Sequence, residues 1–273
     1  MHPLDQALQL RPAGLGHLDT FHGSTSPAYW NMVGPFGGTT AATALRAVLQ
    51  HPALLGEPVA LTVNFAAALG AGPFAITARP VRTNRSTQHW TMELVQRDPS
   101  GEAVVSMTAT AVTALRRSTW SASETAMPSL HFADALPRFA LPTSEWTRRY
   151  DLRAVCGTLP KVWDDAESDS LTQLWVRDDP PRPLDFTSLA ALSDVFYPRV
   201  WLRRAKRVPA GTVSITTYFH ADSAQLEEVG TGYLLAQARA QTFQNGFFDQ
   251  SAQLWSESGA LLATSNQIVY YRE

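Results

Sequence analysis

Cysteine is almost absent from this chain, since Cys156 is the only one among 273 residues. A single thiol cannot form an internal disulfide, and without a CxxC pair the usual cysteine metal motif is missing. A nucleophilic cysteine needs a lowered pKa, and the segment 152–159 shows no clear cause for one. We therefore interpret Cys156 as a buried structural thiol.

A basic excess and long apolar runs are also missing. The chain has 22 Lys and Arg against 24 Asp and Glu, a formal net charge of −2. This balance argues against a nucleic-acid partner, whose backbone attracts clustered positive charge. The first 20 residues contain acids and prolines but no continuous apolar stretch, so we expect no signal peptide and no membrane span. A cytoplasmic protein is the resulting expectation.

Several familiar catalytic signatures do not occur. His22, His89 and His220 are scattered, with no i, i+4 pair and no acidic neighbour at ligand spacing, so no metal site is predicted. There is no GxSxG motif, and Gly37-Gly38 lacks the lysine of a phosphate loop. A Ser-His-Asp triad stays open, because its members need not be adjacent in sequence.

The composition that is present indicates a well-filled globular core. Hydrophobic residues make up 45% and charged residues 17%, with eight Trp and twelve Phe. This is the composition of a folded chain rather than a disordered one. The length suits one large domain or two of roughly 100–130 residues.

An internal duplication organises the chain. The segments Pro58–Val112 and Thr212–Tyr271 each predict a series of strands rich in β-branched and aromatic residues. The last hairpin of each contains a turn, Asp98–Gly101 in the first and Ser256–Gly259 in the second. Two antiparallel meanders of similar size at matching positions favour two copies of one fold.

A helix is predicted before each meander, at Phe36–Gln50 and at Asp185–Tyr197, where Pro198 stops it. Both helices are apolar on nearly every side, which is typical of buried helices. The expected N-caps are Thr39 or Thr40 in the first and Thr187 or Ser188 in the second. We predict an α+β fold with two central helices, each wrapped by a curved antiparallel sheet.

The segment 121–170 between the copies is Pro- and Ser-rich at first and acidic later, which indicates a surface linker. Trp146–Gly157 within it alternates enough to be a strand. The predicted boundaries are an N-terminal scaffold unit at 1–125, a linker at 126–145 and a catalytic unit at 146–273.

Four motifs resemble those of the acyl-CoA thioesterase II family, whose fold is the double hotdog. They are Gly37-Gly38 before the first helix, Ser193-Asp194 inside the second, Tyr218-Phe219-His220 at a strand end and Gly259–Gln267 in the last strand. Together they cover most of the chain outside the linker. The resemblance implies hydrolysis of a fatty or other hydrophobic acyl-CoA, with CoA as part of the substrate and no cofactor.

The resemblance also implies the site residues. The family's catalytic Asp, Thr and Gln correspond to Asp194, Thr212 and Gln267. The strand after Thr212 departs from the family pattern, so Thr216 stays open as the alternative catalytic threonine. Thr216 lies four residues later and is expected on the same strand face. It is also a candidate substrate contact. Gly37 and Gly38 are expected to let backbone approach the ligand, or to pack tightly at the helix start.

These residue types suit hydrolysis of a thioester. A carboxylate on an apolar helix is costly to bury, and burial raises its pKa, which makes Asp194 a better base. Thr212 and Gln267 can hold a water against it, and backbone N–H groups at a helix start can face the oxyanion. The first copy offers Arg46 or Ala47, Pro58 and Ala109 at the three matching positions, so the polar residues are absent there together.

Other interpretations stay open. Asp194 could instead pair with Arg199 or Arg203, Thr212 could simply begin a strand, and Gln267 could face water. A basic cluster after the second helix could meet CoA phosphates or be solvated; it comprises Arg203, Arg204, Lys206 and Arg207. The alternatives for the whole protein are a non-catalytic acyl- or aromatic-binding module and an enoyl-CoA hydratase-like enzyme. We expect a homo-oligomer.

Overall fold

The computed structural model of the chain describes residues 1–14, 16–139 and 144–273. Within these ranges the helices are α1 (Pro3–Ala7), α2 (Gly37–Leu49), α3 (Phe186–Leu192), α4 (Arg199–Arg203) and α5 (Ser223–Val229), with 3₁₀ helices at Pro27–Tyr29, Ala133–Ala135 and Glu145–Arg149. The strands of the first half are β1 (Arg11–Pro12), β2 (Thr20–Ser24), β3 (Glu57–Phe65), β4 (Pro73–Thr83), β5 (Thr87–Arg97) and β6 (Ala103–Ala114). Those of the second half are β7 (Tyr150–Cys156), β8 (Thr172–Asp178), β9 (Ala210–Phe219), β10 (Leu234–Arg239), β11 (Phe243–Gln244), β12 (Phe247–Ser256) and β13 (Leu261–Tyr271).

The strands form one antiparallel sheet, and its two halves repeat the same strand order outward from a central junction. The order is β1-β2-β4-β5-β6-β3 in the first half and β9-β13-β12-β10-β8-β7 in the second, with β11 beside β12. The halves join where β3 pairs with β9. Taken outward from this junction, the strands appear in equivalent positions, which is the arrangement that the duplicated sequence predicts.

One face of the sheet buries two central helices, α2 and α3. Nearly every residue of α2 between Gly38 and Val48 is buried, and all of α3 is buried. The helix α2 packs against β3, β4 and β5, α3 packs against β8, and the two helices contact each other. The strands alternate buried and exposed residues, most clearly in β5, because successive side chains point to opposite faces. This is the α+β double-hotdog fold that was predicted.

The first central helix begins earlier than its sequence predicts. It starts at Gly37, with Phe36 as the capping residue, so the prediction of Thr39 or Thr40 as N-cap was wrong. Thr40 lies inside the helix, where its hydroxyl donates backward to the Phe36 carbonyl instead of accepting from a backbone N–H ahead of it.

The second central helix is shorter than expected and has a different cap. Asp185 caps it by accepting a hydrogen bond from the Ser188 N–H at 2.8 Å, so Thr187 and Ser188 are not the caps. The helix ends at Leu192 rather than Tyr197. Asp carboxylates are among the strongest N-caps, which explains the earlier start.

The end of this helix matters for the site, because it places Asp194 in a turn just past the helix rather than inside it. The Ser193 carbonyl accepts a hydrogen bond from the Ser265 hydroxyl of β13 at 3.1 Å, so a neighbouring strand satisfies it instead of a later helical N–H. Pro198 precedes α4 as its capping residue.

The segment between the halves combines short elements. The strand predicted over Trp146–Gly157 begins at Tyr150, and the residues before it form a 3₁₀ helix. The Trp146 ring stacks on Phe36 with centroids 4.2 Å apart, which holds this helix against the first half. The linker predicted at 126–145 includes residues 140–143, which lie outside the described residues. The boundaries 1–125, 126–145 and 146–273 stay predictions.

No helix in the described ranges combines the length and apolar character needed to cross a membrane.

Candidate active site

The centre of the candidate site is the carboxyl group of Asp194. Its side chain is buried, with 8% of the residue exposed. Its Oδ1 accepts a hydrogen bond from the Gln267 side-chain amide at 2.8 Å. The ion pair considered with Arg199 or Arg203 does not form, because Arg199 donates to the Tyr197 carbonyl and Arg203 to Glu167.

Gln267 links this carboxyl group to a hydroxyl. It lies on the buried face of β13 with 4% exposure, so it does not face water. Its Oε1 accepts a hydrogen bond from the Thr212 hydroxyl at 3.2 Å. A chain of hydrogen bonds therefore runs from Thr212 through Gln267 to Asp194. The amide oxygen of Gln267 accepts from the hydroxyl, and its amide nitrogen donates to the carboxyl group. The structure brings the three predicted residues together.

Thr216 lies on the opposite face of the sheet from Thr212. The register between β9 and β13 contains a bulge, because Ile268 pairs with Ser214 and Val269 pairs with Thr212. One extra residue in a strand reverses which face the following side chains occupy. The expectation that both threonines share a face was therefore wrong.

On that opposite face Thr216 has a different partner. Its hydroxyl is 2.9 Å from the Thr62 hydroxyl, across the junction of β3 and β9. This contact joins the two halves of the sheet, while Thr212 alone of the two threonines reaches Gln267. As a substrate contact Thr216 stays a prediction, without a described contact to the Asp194 group.

Gly37 and Gly38 form the floor under the carboxyl group. A Cβ on Gly37 would lie 2.7 Å from Asp194 Oδ2 and 3.3 Å from the Phe65 ring. A Cβ on Gly38 would lie 2.4 Å from the Ala191 carbonyl oxygen of α3. The distances of 2.7 Å and 2.4 Å are too short for a real Cβ, so the glycines allow α2 to approach α3 and Asp194 closely. Of the two expected roles, tight packing at the helix start is directly visible.

Burial raises the pKa of Asp194 to about 7, since an ionised carboxylate loses hydration inside the protein. The Gln267 amide and the backbone amide of Gly38 oppose this rise by favouring the charged form. The Gly38 amide belongs to the first turn of α2, where backbone N–H groups carry partial positive charge. The balance leaves a carboxyl group that exchanges protons near neutral pH.

Ser265 was not among the predicted site residues. It is buried on β13 two residues before Gln267, so both side chains point to the same face. By donating to the Ser193 carbonyl it ties the turn that carries Asp194 to the strand that carries Gln267. A serine two positions from the glutamine of an apolar strand was the available sequence signal.

The matching positions of the first half lack these groups. When the pairing of β3 with β6 is superimposed on that of β9 with β13, Pro58 is the equivalent of Thr212. In the same comparison Ala111 is the equivalent of Gln267. The prediction of Ala109 was wrong by one pair of residues. Two more residues separate the turn glycine from the bulge in the β5–β6 hairpin than in the β12–β13 hairpin. Counting from the turns therefore assigns the wrong residue of β6 as the equivalent of Gln267.

The basic cluster after α3 is paired rather than solvated alone. Arg203 contacts Glu167, and both Arg204 and Lys206 contact Asp165. These partners belong to the acidic run predicted as surface linker, and the structure places that run against the cations.

Cys156 is only half-buried, which corrects the buried thiol that was predicted, and its sulfur is 3.4 Å from the Gln173 Oε1. In the described ranges no three His, Cys, Asp or Glu side chains come together in a group that could hold a metal ion.

Two family models match nearly the whole of this arrangement. Residues 26–114 match the N-terminal domain of acyl-CoA thioesterases, and residues 123–271 match their C-terminal domain. The chain belongs to the acyl-CoA thioesterase family. The Asp194 group of this thioesterase-family chain lies in the part that matches the C-terminal domain, while Gly37 and Gly38 lie in the part that matches the N-terminal domain.

Solved structures share the fold of this chain. The thioesterase-family chain is 47% identical to a conserved protein of unknown function with a hot dog fold from Alicyclobacillus acidocaldarius, with a TM-score of 0.91 over 100% of this chain and 99% of that one. A putative thioesterase II from Thermobifida fusca YX has 19% identity and a TM-score of 0.79, covering 100% and 98%. The tesB protein of Mycobacterium avium subs paratuberculosis has 18% identity and a TM-score of 0.77, covering 99% and 98%. The last two likenesses show the fold. No curated protein matches the chain.

Proposed function

We propose that the protein hydrolyses acyl-CoA thioesters, using a water molecule that Asp194 activates. The observation that carries this proposal is the buried hydrogen-bond chain from Thr212 through Gln267 to Asp194. Its carboxyl group has a pKa raised to about 7, which is close to the value that suits a general base at neutral pH.

The two carboxyl oxygens have different tasks in this mechanism. Oδ1 is engaged by Gln267, while Oδ2 lies over Gly37 and has no side-chain donor among the described residues. Oδ2 accepts a proton from the water as the water oxygen bonds to the thioester carbonyl carbon. The carbonyl oxygen then becomes negative, and the CoA thiolate leaves as the carbon–sulfur bond breaks.

Gln267 orients both the base and the water. One of its two amide hydrogens is donated to Asp194, and the Thr212 hydroxyl holds its carbonyl oxygen. The second amide hydrogen is available to the attacking water or to the developing oxyanion. The N-terminal turn of α2, beside the carboxyl group, adds partial positive charge that favours the negative oxygen.

The substrate carries a hydrophobic acyl chain in the interpretation from sequence, and the protein works as a cytoplasmic homo-oligomer without a cofactor. These points are proposals that follow from the family resemblance and the composition.

A hydratase of the same fold is the second enzymatic candidate. The dehydratase domain of the polyketide PpsC from Mycobacterium tuberculosis shares this fold at 12% identity and a TM-score of 0.59. Hydration needs an Asp and a His a few residues apart at the start of a central helix, and neither α2 nor α3 has that pair. The lack of that pair in both central helices favours hydrolysis over hydration.

The test follows free thiol released from CoA esters of saturated acids, from acetyl to palmitoyl. Asp194→Asn should lower kcat by about 10²–10⁴, the usual contribution of a general base. Asp134→Asn is the matched control, since the Asp134 side chain is 96% exposed. Absence of thiol release from every ester would refute the proposed activity and favour the binding-module alternative. An Asp194→Asn variant as active as the parent would refute the role of Asp194 as the base.

A further inference from the structure

One cation of the basic cluster after α3 has no carboxylate partner within the part of the chain that the structure describes. The other three members of the cluster pair with acidic side chains, whereas Arg207 is exposed and forms no such pair. Its guanidinium group lies over the ring of Trp163 instead, 4.5 Å from the ring centroid. A guanidinium group without a carboxylate partner is free to bind an anion such as a phosphate.

A second tryptophan completes this surface. Trp201 of α4 meets Trp163 at an interplanar angle of 84°, with centroids 6.3 Å apart. The Trp201 indole N–H donates to the Val208 carbonyl at 2.7 Å, which fixes the ring beside the residue that follows Arg207. Both tryptophans are half-buried, so part of each ring is accessible. We call Trp163, Trp201 and Arg207 the Trp163 group. Aromatic rings next to an exposed guanidinium group form a surface on which a flat base can stack.

The Trp163 group adjoins the sheet face that carries Gln267. Trp201 and Tyr271 pack against an apolar cluster that includes Val269. Buried and exposed residues alternate along β13, so Val269 and Tyr271 point to the same face as Gln267. At about 3.3 Å per residue, Tyr271 lies about 13 Å beyond Gln267. The inner face of the sheet therefore continues from Gln267 outward to Trp201.

The connection that carries Asp194 also carries most of this group. Residues 193–209 join α3 to β9 and include Asp194, Trp201 and Arg207. In the first half, residues 50–56 alone join α2 to β3. The longer connection therefore belongs to the half that contains the hydrogen-bond chain of the candidate site.

That hydrogen-bond chain is most accessible at Thr212. Thr212 is half-buried, whereas Gln267 and Asp194 are buried. Thr212 follows Arg207 by five residues, which span at most about 17 Å when fully extended. A substrate that reaches the buried carboxyl group from the side of Thr212 therefore has Arg207 within the length of an extended linker.

We infer that the nucleotide end of CoA binds to the Trp163 group, with its adenine stacked on the exposed side of the Trp163–Arg207 pair and a phosphate held by Arg207. This inference rests on the proposed function and locates one end of its substrate. The pantetheine arm between thioester and nucleotide has about as many bonds as four residues of polypeptide, so it spans up to about 14 Å. This length matches the separation of about 13 Å along β13.

The experiment measures Kd by calorimetry for CoA, dephospho-CoA and pantetheine, none of which contains a thioester. Trp163→Leu should weaken CoA binding about tenfold or more, the effect of losing one stacked base. Arg207→Gln should weaken it about tenfold through loss of a charge-assisted hydrogen bond. Neither substitution should change the Kd of pantetheine, which lacks the nucleotide. Trp120→Leu and Arg85→Gln are matched controls, since both residues are exposed.

Two comparisons sharpen this test. Trp163→Phe keeps an aromatic ring and should bind CoA nearly as tightly as the parent, which separates loss of stacking from a folding defect. Dephospho-CoA lacks the 3′-phosphate, so Arg207→Gln should affect it less than CoA if Arg207 holds that phosphate, and equally if Arg207 holds the diphosphate.

Unchanged CoA affinity in Trp163→Leu and Arg207→Gln would overturn the inference, as would an equal loss of affinity for CoA and pantetheine. The proposed function fails separately. If the parent releases thiol from no ester but binds CoA through Trp163 and Arg207, hydrolysis is refuted and the inference stands. If the parent hydrolyses esters and both variants keep the parent's ratio of kcat/KM between an acyl-CoA and the matching acyl-pantetheine, the inference alone is refuted.

Discussion

Replacing Asp194 by Asn should stabilise the protein at alkaline pH while it removes activity. The folded-state pKa of Asp194 is raised from 3.8 to about 7. Between these two values the folded protein holds a proton that the unfolded chain has released, so the parent loses stability as pH rises through this window. Asn carries no proton to lose, and the variant escapes this penalty.

The magnitude follows from the two pKa values. Integrating the linkage relation from pH 5 to pH 9 gives a loss of about 3 kcal/mol for the parent relative to the variant, most of it below pH 7. Other titrating groups cancel in this difference because both proteins contain them. Asp178, whose buried carboxyl group has its pKa raised to about 6, is one of these. The Asn amide can still accept from Gln267, so the packing of the site is retained.

Urea unfolding at pH 5, 7 and 9 measures the effect as the difference in free energy of unfolding between Asp194→Asn and the parent. The difference should grow in favour of the variant with rising pH and level off above pH 7. The control Asp134→Asn should show no such trend, because that side chain is exposed. A difference between Asp194→Asn and parent that stays constant from pH 5 to pH 9 would show that Asp194 is not a buried base.

Three further predictions concern catalysis. The kcat/KM of the parent should rise with pH through a midpoint near 7, since only ionised Asp194 accepts a proton. Gln267→Leu should move this midpoint upward, because the Gln267 amide favours the charged form of Asp194. Thr212→Val should lower kcat/KM about three- to tenfold through loss of one hydrogen bond to Gln267, whereas Thr216→Val, on the other sheet face, should not; equal losses would contradict the bulge assignment. Gly37→Ala should lower kcat at least about tenfold while the circular dichroism spectrum stays native, because the new Cβ would lie only 2.7 Å from Asp194 Oδ2 and displace it. A variant with unimpaired kcat would show that the position of this oxygen is unimportant.

The fold, and the grouping of the residues in the candidate site, could be predicted from sequence. Strand patterns and two apolar helices repeat in the same order, and this repetition predicts the mirrored sheet. Asp194 and Gln267 are polar residues in apolar surroundings, and such residues need partners when buried. The structure brings them together at hydrogen-bond distance.

The local details depended on contacts that sequence patterns do not encode. The face of Thr212 is decided by one bulged residue in β9, and alternation alone places Thr216 beside it. Just past the end of α3, the Ser193 carbonyl accepts a hydrogen bond from a hydroxyl on β13, more than 70 residues away along the chain. The match of Ala111 to Gln267 depends on the length of a hairpin, which counting from turn residues misjudges. In each case a tertiary contact or an irregularity overrides a local rule.

The contact of the α2 glycines with Asp194 has a consequence for how the two copies can evolve. After a duplication, a copy that has lost its own catalytic groups is ordinarily free to accumulate substitutions. Here the first copy has neither the carboxylate nor the glutamine, yet its helix start is the surface on which the carboxylate of the second copy rests. The candidate site draws on both halves of the chain. A recombined chain that exchanged its first half for that of a distant relative would therefore carry Asp194 without the glycines against which its carboxyl group packs.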